Sequence, residues 1–371
     1  MTVGNGCLGS LVGALFGTLF FVGSFPLHWW NEHRAVTTER SLDEGRHVFQ
    51  RADVTNLDRG NDGKLIYVSG DARAPGPLLD AVTHITVPAL VLERVSEMYQ
   101  WDEESSKRSG NHDHSYSYEC RWKSGIENSA HFHEKPGHRN PDRYVIPSGT
   151  ETVPEAKLGA FRVPAAILQK IDATTPWQPE EKQLSELPAE LRARSRIAGG
   201  QLYLGKDPAV PEVGDERVAF RIVAPGPISI LARQSGDLLA EHTASNGRAL
   251  VLAEAGVVAP ETLFEHAFTA NRTLTWILRV VGLFAMFIGA RLIIEPLTNV
   301  TDWIPLLGGV VDTGATLAAG VFALVFSAIT IAVSWFAVRP LLSCGLVVAA
   351  IGVALLAKKA RSRPRDPAIL K

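Results

Sequence analysis

Apolar positions in this chain follow two distinct patterns. From Cys7 to Leu27 (CLGSLVGALFGTLFFVGSFPL) the run is unbroken and uncharged. At about 1.5 Å per residue, such a run covers a hydrocarbon core of about 30 Å. Trp29 and Trp30 follow, and indoles settle at headgroup level. No Lys or Arg precedes the run, it exceeds the apolar core of a secretory signal, and FPLHWW is a poor cleavage site. The reading is therefore a retained N-terminal transmembrane helix at 1–30. Later apolar runs predict a second span at 273–296, a third at 317–338 and a fourth at 341–357, with an interfacial or re-entrant segment at 297–316. Arg279 and Arg291 fall near the ends of the second span, where long stems snorkel. Only Arg339 and Pro340 separate the last two spans, which predicts a tight helical hairpin.

The region 31–272 is polar and reads mostly as β-structure. SYSYECRWK sets Tyr116, Tyr118, Cys120 and Trp122 against polar neighbours with a period of two, the mark of a strand with one buried face. EMYQW (Glu97–Trp101) is its expected partner across SSKRSGNHD. GKLIYVSG, GGQLYLG, RVAFRIVAP and ISILARQ are further strands bounded by turn formers. PEEKQLSELPAELRARSR reads as one or two helical turns, and Pro260 suits the first turn of a helix that runs on into the second span. GKLIYVSGDARAP and GQLYLGKDPAVP echo each other weakly. The fold class expected is an α+β membrane protein, with four transmembrane helices and a large β-rich soluble domain between the first and second.

Charge then sets the topology. The tail 358–371 carries Lys358, Lys359, Arg361, Arg363, Arg365 and Lys371 against Asp366, which places it on the cytoplasmic side. Four spans return the N-terminus to that side and leave 31–272 across the bilayer. In a bacterium that is an inner membrane with a periplasmic domain; in a eukaryote it is a luminal domain. The short N-terminus and Ala/Arg-rich composition fit a bacterial source. The formal net charge is −2, which argues against a nucleic-acid partner. Three cysteines make no disulfide framework.

Gly9, Gly13 and Gly17, four apart, form one smooth helix face for close helix packing, within the chain or between copies. His112, His114, His131 and His133 crowd a polar stretch around Cys120 and could supply imidazole ligands, but their spacing matches no metal motif. A metal-binding enzyme or sensor is thus one alternative. Asp312, in an overlong apolar region, suggests a small channel or transporter, against the plainer reading that it lies at the interface. No nucleophile elbow, phosphate-cradling loop or triad order is present, so no catalytic residue and no cofactor are expected.

Read in order, WWNEHRA, EMYQWDEE, YSYECRWKS, GHRNP, PEVGDERV, an ARQSGD strand, GLFAMFIG, DWIP and RPL resemble the LUMA (transmembrane protein 43) family. The motif positions that carry over, all structural, are Glu97, Tyr99, Trp101, Trp122, His138, Asn140, Pro141, Gly214, Asp215, Trp303, Pro305, Arg339 and Pro340. The resemblance implies a non-enzymatic four-span scaffold that self-associates in the bilayer. In eukaryotes it implies residence in the endoplasmic reticulum and inner nuclear membrane, where the protein organises the envelope with lamin- and emerin-like partners.

Overall fold

The computed structural model describes residues 3–107, 114–301 and 308–338. Chain contacts divide it into a helical unit (Met1–Glu44 with Glu265–Lys371) and a β-rich unit (Gly45–Phe264). The expected fourth span at 341–357, the tail, Trp303, Pro305, Arg339 and Pro340 lie outside the described residues, so three spans rather than four are described.

The helical unit is built from three long helices, Val3–Val48, Pro260–Thr301 and Gly308–Val338. Each contains a stretch long and apolar enough to cross a membrane: Val12–Val48, Pro260–Pro296 and Val311–Ala337. The first is longer than read from the sequence. It does not end near 30 but runs on through NEHRAVTTERSLDEGRHV, a length of roughly 70 Å. Nothing in that stretch breaks a helix, and Arg46 and His47 complement the negative end of its dipole. The second helix does begin at Pro260, where the missing N–H costs nothing. The third starts at Gly308, well before 317, so the part of the expected interfacial segment after 307 is helical and holds Asp312 in the first turns. Outward faces are apolar and exposed, as Leu15, Leu19, Trp276, Phe284, Leu317 and Leu324 show.

The β unit holds two larger sheets. In the first, Leu65–Arg73, Glu155–Leu158, Phe161–Pro164, Leu238–Ala240 and Gly226–Ser235 pair in a closed ring, a five-strand barrel. Four of its junctions are antiparallel, and Phe161–Pro164 against Leu238–Ala240 is parallel. The strand Gly226–Ser235 buries Ile228, Ser229, Ile230, Leu231 and Ala232 in succession, so both of its faces are covered. Gly159 turns the 155–164 hairpin at φ +58, where a Cβ would run into the Val54 carbonyl. The second sheet runs in the order Ser195–Ala198, Gln201–Leu204, Glu216–Val223, Val91–Lys107, His114–Lys123. Its hairpin has the expected partners, with Tyr99 opposite Trp122 and Trp101 opposite Cys120. The two segments that echo each other in sequence fall in different sheets. Phe161, Phe220, Ile66, Leu90 and Ile230 belong to one continuous apolar core.

Candidate functional site in the membrane helices

Helical geometry places His28, Asn31, Glu32 and Ala35 on one face of the first helix, at i, i+3, i+4 and i+7. All four are buried, with Glu32 only 2% exposed. A polar stripe at this depth in an apolar helix needs partners, since an unpaired charge in lipid is expensive. The second and third helices supply them. Arg279 grips Glu32 with two bonds, Nε at 2.6 Å and Nη2 at 2.8 Å, and the Trp335 indole N–H donates to the same carboxylate at 2.8 Å. The Arg279 guanidinium also lies 4.8 Å from the ring centre of Trp276 and 5.9 Å from that of Trp335. One carboxylate thus ties three helices together.

Neighbouring turns repeat the device. Asn31 donates to the Thr275 carbonyl at 3.0 Å, and Arg34 donates to the side chains of Asn271 and Thr275, both at 3.0 Å. Asn271 in turn donates to the Ala35 carbonyl at 3.0 Å. One turn the other way, His28 Nε2 meets Ser327 Oγ at 3.1 Å. Gly282 makes room for that ring: a Cβ there would come within 2.6 Å of the His28 Cε1. Beside the clamp lies a cleft of about 240 Å³ lined by Glu32, Glu39, Arg272, Trp276, Arg279 and Trp335. Exposed Trp29, Trp30 and Trp276 sit at nearby sequence positions on their helices, in keeping with a level close to a membrane–water interface. Arg279, read as a snorkelling end residue, instead turns inward to Glu32.

Other residues singled out from the sequence fall as follows. Gly17 packs within the chain: a Cβ there would lie 2.7 Å from Leu292 Cβ and 2.8 Å from the Gly289 carbonyl oxygen, and the Gly13 position is 4.0 Å from Leu292 Cδ2. Gly9 is helical but its surroundings lie outside the described residues. Asp312 forms an ion pair with Arg291. Among the described residues no three His, Cys, Asp or Glu side chains come together as metal ligands. His131 and His133 are exposed, and the His133 ring stacks on Tyr116 at 4.2 Å. His112 and the side chain of His114 lie outside the described residues.

The remaining motif positions assemble around the second sheet. Tyr99 packs on Trp122, which carries Arg217 over its face at 4.7 Å, and Arg217 pairs with Glu97 at 2.6 Å. Asn140 exchanges bonds with the Trp101 backbone, accepting from its N–H at 2.8 Å and donating to its carbonyl at 2.9 Å. His138 stacks on Tyr118 at 4.0 Å, stands edge-on to Trp101, and bonds the Glu134 carbonyl. Gly214, at φ +96, approaches Pro141, and Asp215 accepts from the Tyr203 hydroxyl at 2.6 Å. These contacts position loops and strands; none sets a nucleophile beside a base.

Long apolar helices pinned by a buried and partnered ion pair, joined to a β-rich domain, define an integral membrane protein of mixed α+β architecture. The sequence model described as Transmembrane protein 43 matches residues 98–340. Transmembrane protein 43 of Mus musculus is 33% identical over 96% of this chain and 90% of its own length. The Homo sapiens protein of that name is 32% identical over 92% and 89%. A Drosophila melanogaster homolog is 27% identical over 91% of each chain. The chain belongs to the transmembrane protein 43 family. No solved structure matches it.

Proposed function

We propose that this chain is a non-enzymatic membrane scaffold that associates with copies of itself and holds its β-rich domain across the bilayer from its basic tail. The observation that carries this reading is how the polar groups of the helices are used. Glu32, Arg279, Asn31 and Arg34 are consumed in helix-to-helix bonds, which suits a rigid anchor better than a conduction path. Apolar outward faces, such as Leu15 and Leu19 at 72% and 67% exposure, are left for lipid and for other helices. Because Gly17 is spent on Leu292 and Gly289, self-association would use those outward faces. In a eukaryotic setting the proposal extends to the endoplasmic reticulum and inner nuclear membrane and to lamin- or emerin-like partners; in a bacterium it becomes the inner membrane with a periplasmic domain.

Crosslinking in native membranes tests self-association: discrete oligomers are expected, and a monomer-only pattern removes it. Sidedness is tested with Lys135→Cys, an exposed position in the β unit. A membrane-impermeant maleimide added to the cytoplasmic face should leave it unlabelled until the membrane is opened. The native Cys120 serves poorly here, because burial raises its thiol pKa and slows alkylation.

A further inference from the structure

The β unit contains a cavity of about 560 Å³ that the scaffold reading does not use. Its walls come from the turn PEVGD (Pro211–Asp215), the segment around Pro141–Val145, and residues 193–196 at the sheet edge. Four cations line it: Arg143, Arg194, Arg196 and Lys206. Arg196 lies in the edge strand Ser195–Ala198 and Arg194 in the turn just before it, and both line the cavity. Lys206 is paired with Glu212 at 3.2 Å. Among the described residues, none of the three arginines lies within ion-pair distance of a carboxylate.

Three acids, Glu212, Asp215 and Glu216, share the lining, and each already has a partner: Glu212 has Lys206. Asp215 accepts from the Tyr203 hydroxyl at 2.6 Å and from the Glu212 N–H at 2.9 Å. Glu216 accepts from the Val145 and Ile146 N–H groups at 2.6 and 2.9 Å. Burial raises the Glu216 pKa, against the pull of those two bonds and of Arg194. Four cations thus stand against three engaged acids, and among the described residues Arg143, Arg194 and Arg196 keep their guanidinium groups out of ion pairs, around a concavity with Met98 and Val145 in its walls. Such a concavity focuses its field on an anion, and the repulsion among its arginines is relieved when one is bound.

We propose that this cavity binds a small organic phosphate, held by Arg143, Arg194 and Arg196. Guanidinium forks match phosphate oxygens two at a time, with directed bonds that an ammonium does not give. The volume falls in the range of small-molecule sites and exceeds what one phosphate fills, so the ligand carries an organic body. A free phosphorylated metabolite and the headgroup of a phospholipid share this chemistry.

The test uses the full chain in neutral-lipid nanodiscs, titrated calorimetrically with inorganic pyrophosphate and, separately, short-chain phosphatidic acid. Three proteins are compared: the unaltered chain, Arg194→Gln/Arg196→Gln, and Arg221→Gln. Arg221 lies on the same sheet but does not line the cavity, so it controls for loss of a cation elsewhere on that sheet. Arg194 and Arg196 are exposed, so their loss leaves the core intact, which thermal unfolding verifies. The expected result is binding of at least one probe, weakened at least about tenfold in the double variant and unchanged in Arg221→Gln. Similar affinity for both probes assigns recognition to the phosphate and favours a soluble ligand; binding of phosphatidic acid alone assigns a lipid. Binding of neither probe, or equal weakening by Arg221→Gln, overturns the proposal.

Discussion

The clamp between Glu32 and Arg279 makes a demanding prediction. Glu32→Gln removes the charge that accepts two bonds from Arg279 and one from Trp335. Arg279, with its side chain 17% exposed, is then left without its counter-ion. Breaking one side of a buried pair costs about 3–5 kcal/mol. The faces of Trp276 and Trp335 still hold the guanidinium and return about 1 kcal/mol, so about 3 kcal/mol is expected for this variant. Arg279→Gln is worse. It strands a carboxylate that is 2% exposed and that, among the described residues, keeps the Trp335 indole as its one donor, so the expected cost is about 4–5 kcal/mol. The double variant carries neither charge, and its two amides can bond each other. Its cost should fall short of the sum by about 2–3 kcal/mol. The assay is denaturant unfolding of the full chain in mild detergent, followed by fluorescence, since Trp276 and Trp335 both flank the pair. Additivity within about 0.5 kcal/mol would show that the two residues do not meet, and the three-helix clamp would have to be abandoned.

Gly17→Leu forces the first two helices apart, at about 1–3 kcal/mol, and should lower the yield of an intramolecular disulfide between Gly13→Cys and Leu292→Cys; an unchanged yield contradicts the packing. Tyr203→Phe leaves the buried Asp215 carboxylate one donor short and should cost about 1–3 kcal/mol in thermal or chemical unfolding, so a change below about 0.5 kcal/mol refutes the bond. The Glu216 pKa is raised above its ordinary 4.5, chiefly by burial, so the folded state holds this proton more tightly than the unfolded chain. Its contribution is therefore complete below 4.5 and is lost as pH rises through the raised folded value. Stability of the unaltered chain should fall relative to Glu216→Gln over that interval, and parallel pH profiles would contradict the assignment.

The strands were legible where their pattern had room to repeat. Tyr116, Tyr118, Cys120 and Trp122 alternate over a full hairpin arm, and the pairing with Tyr99 and Trp101 follows from it. The closed barrel was not legible. Glu155–Leu158 and Phe161–Pro164 are four residues each, too short to show a period. The parallel junction that helps close the ring rests on a single register pair, Leu238 with Arg162. The motif positions were found as words in sequence, but not as one packed group. Asn140 reaching the Trp101 backbone, or Arg217 lying over Trp122, depends on segments brought together only by the sheet.

The clamp was hidden for a different reason. Polar residues directly after Trp29 and Trp30 look like a chain leaving the bilayer, which closes the first span at 30 and leaves Glu32 in the soluble region. A test of period rather than of polarity separates the two cases. His28, Asn31, Glu32 and Ala35 share one face, whereas a helix emerging into water has no reason to sort its polar side chains. Even so, the period shows only that a partner is needed. Arg279 lies 247 positions from Glu32, and taken alone a single Arg near the end of a span reads as snorkelling. Naming the partner requires the helices to be packed. Once they are, the polar stripe finds its partners inside the chain, His28 Nδ1 excepted, and the faces turned outward are apolar. Any association through those faces then has no buried charge to drive it, and rests on the weaker and more shape-dependent packing that operates between helices in lipid.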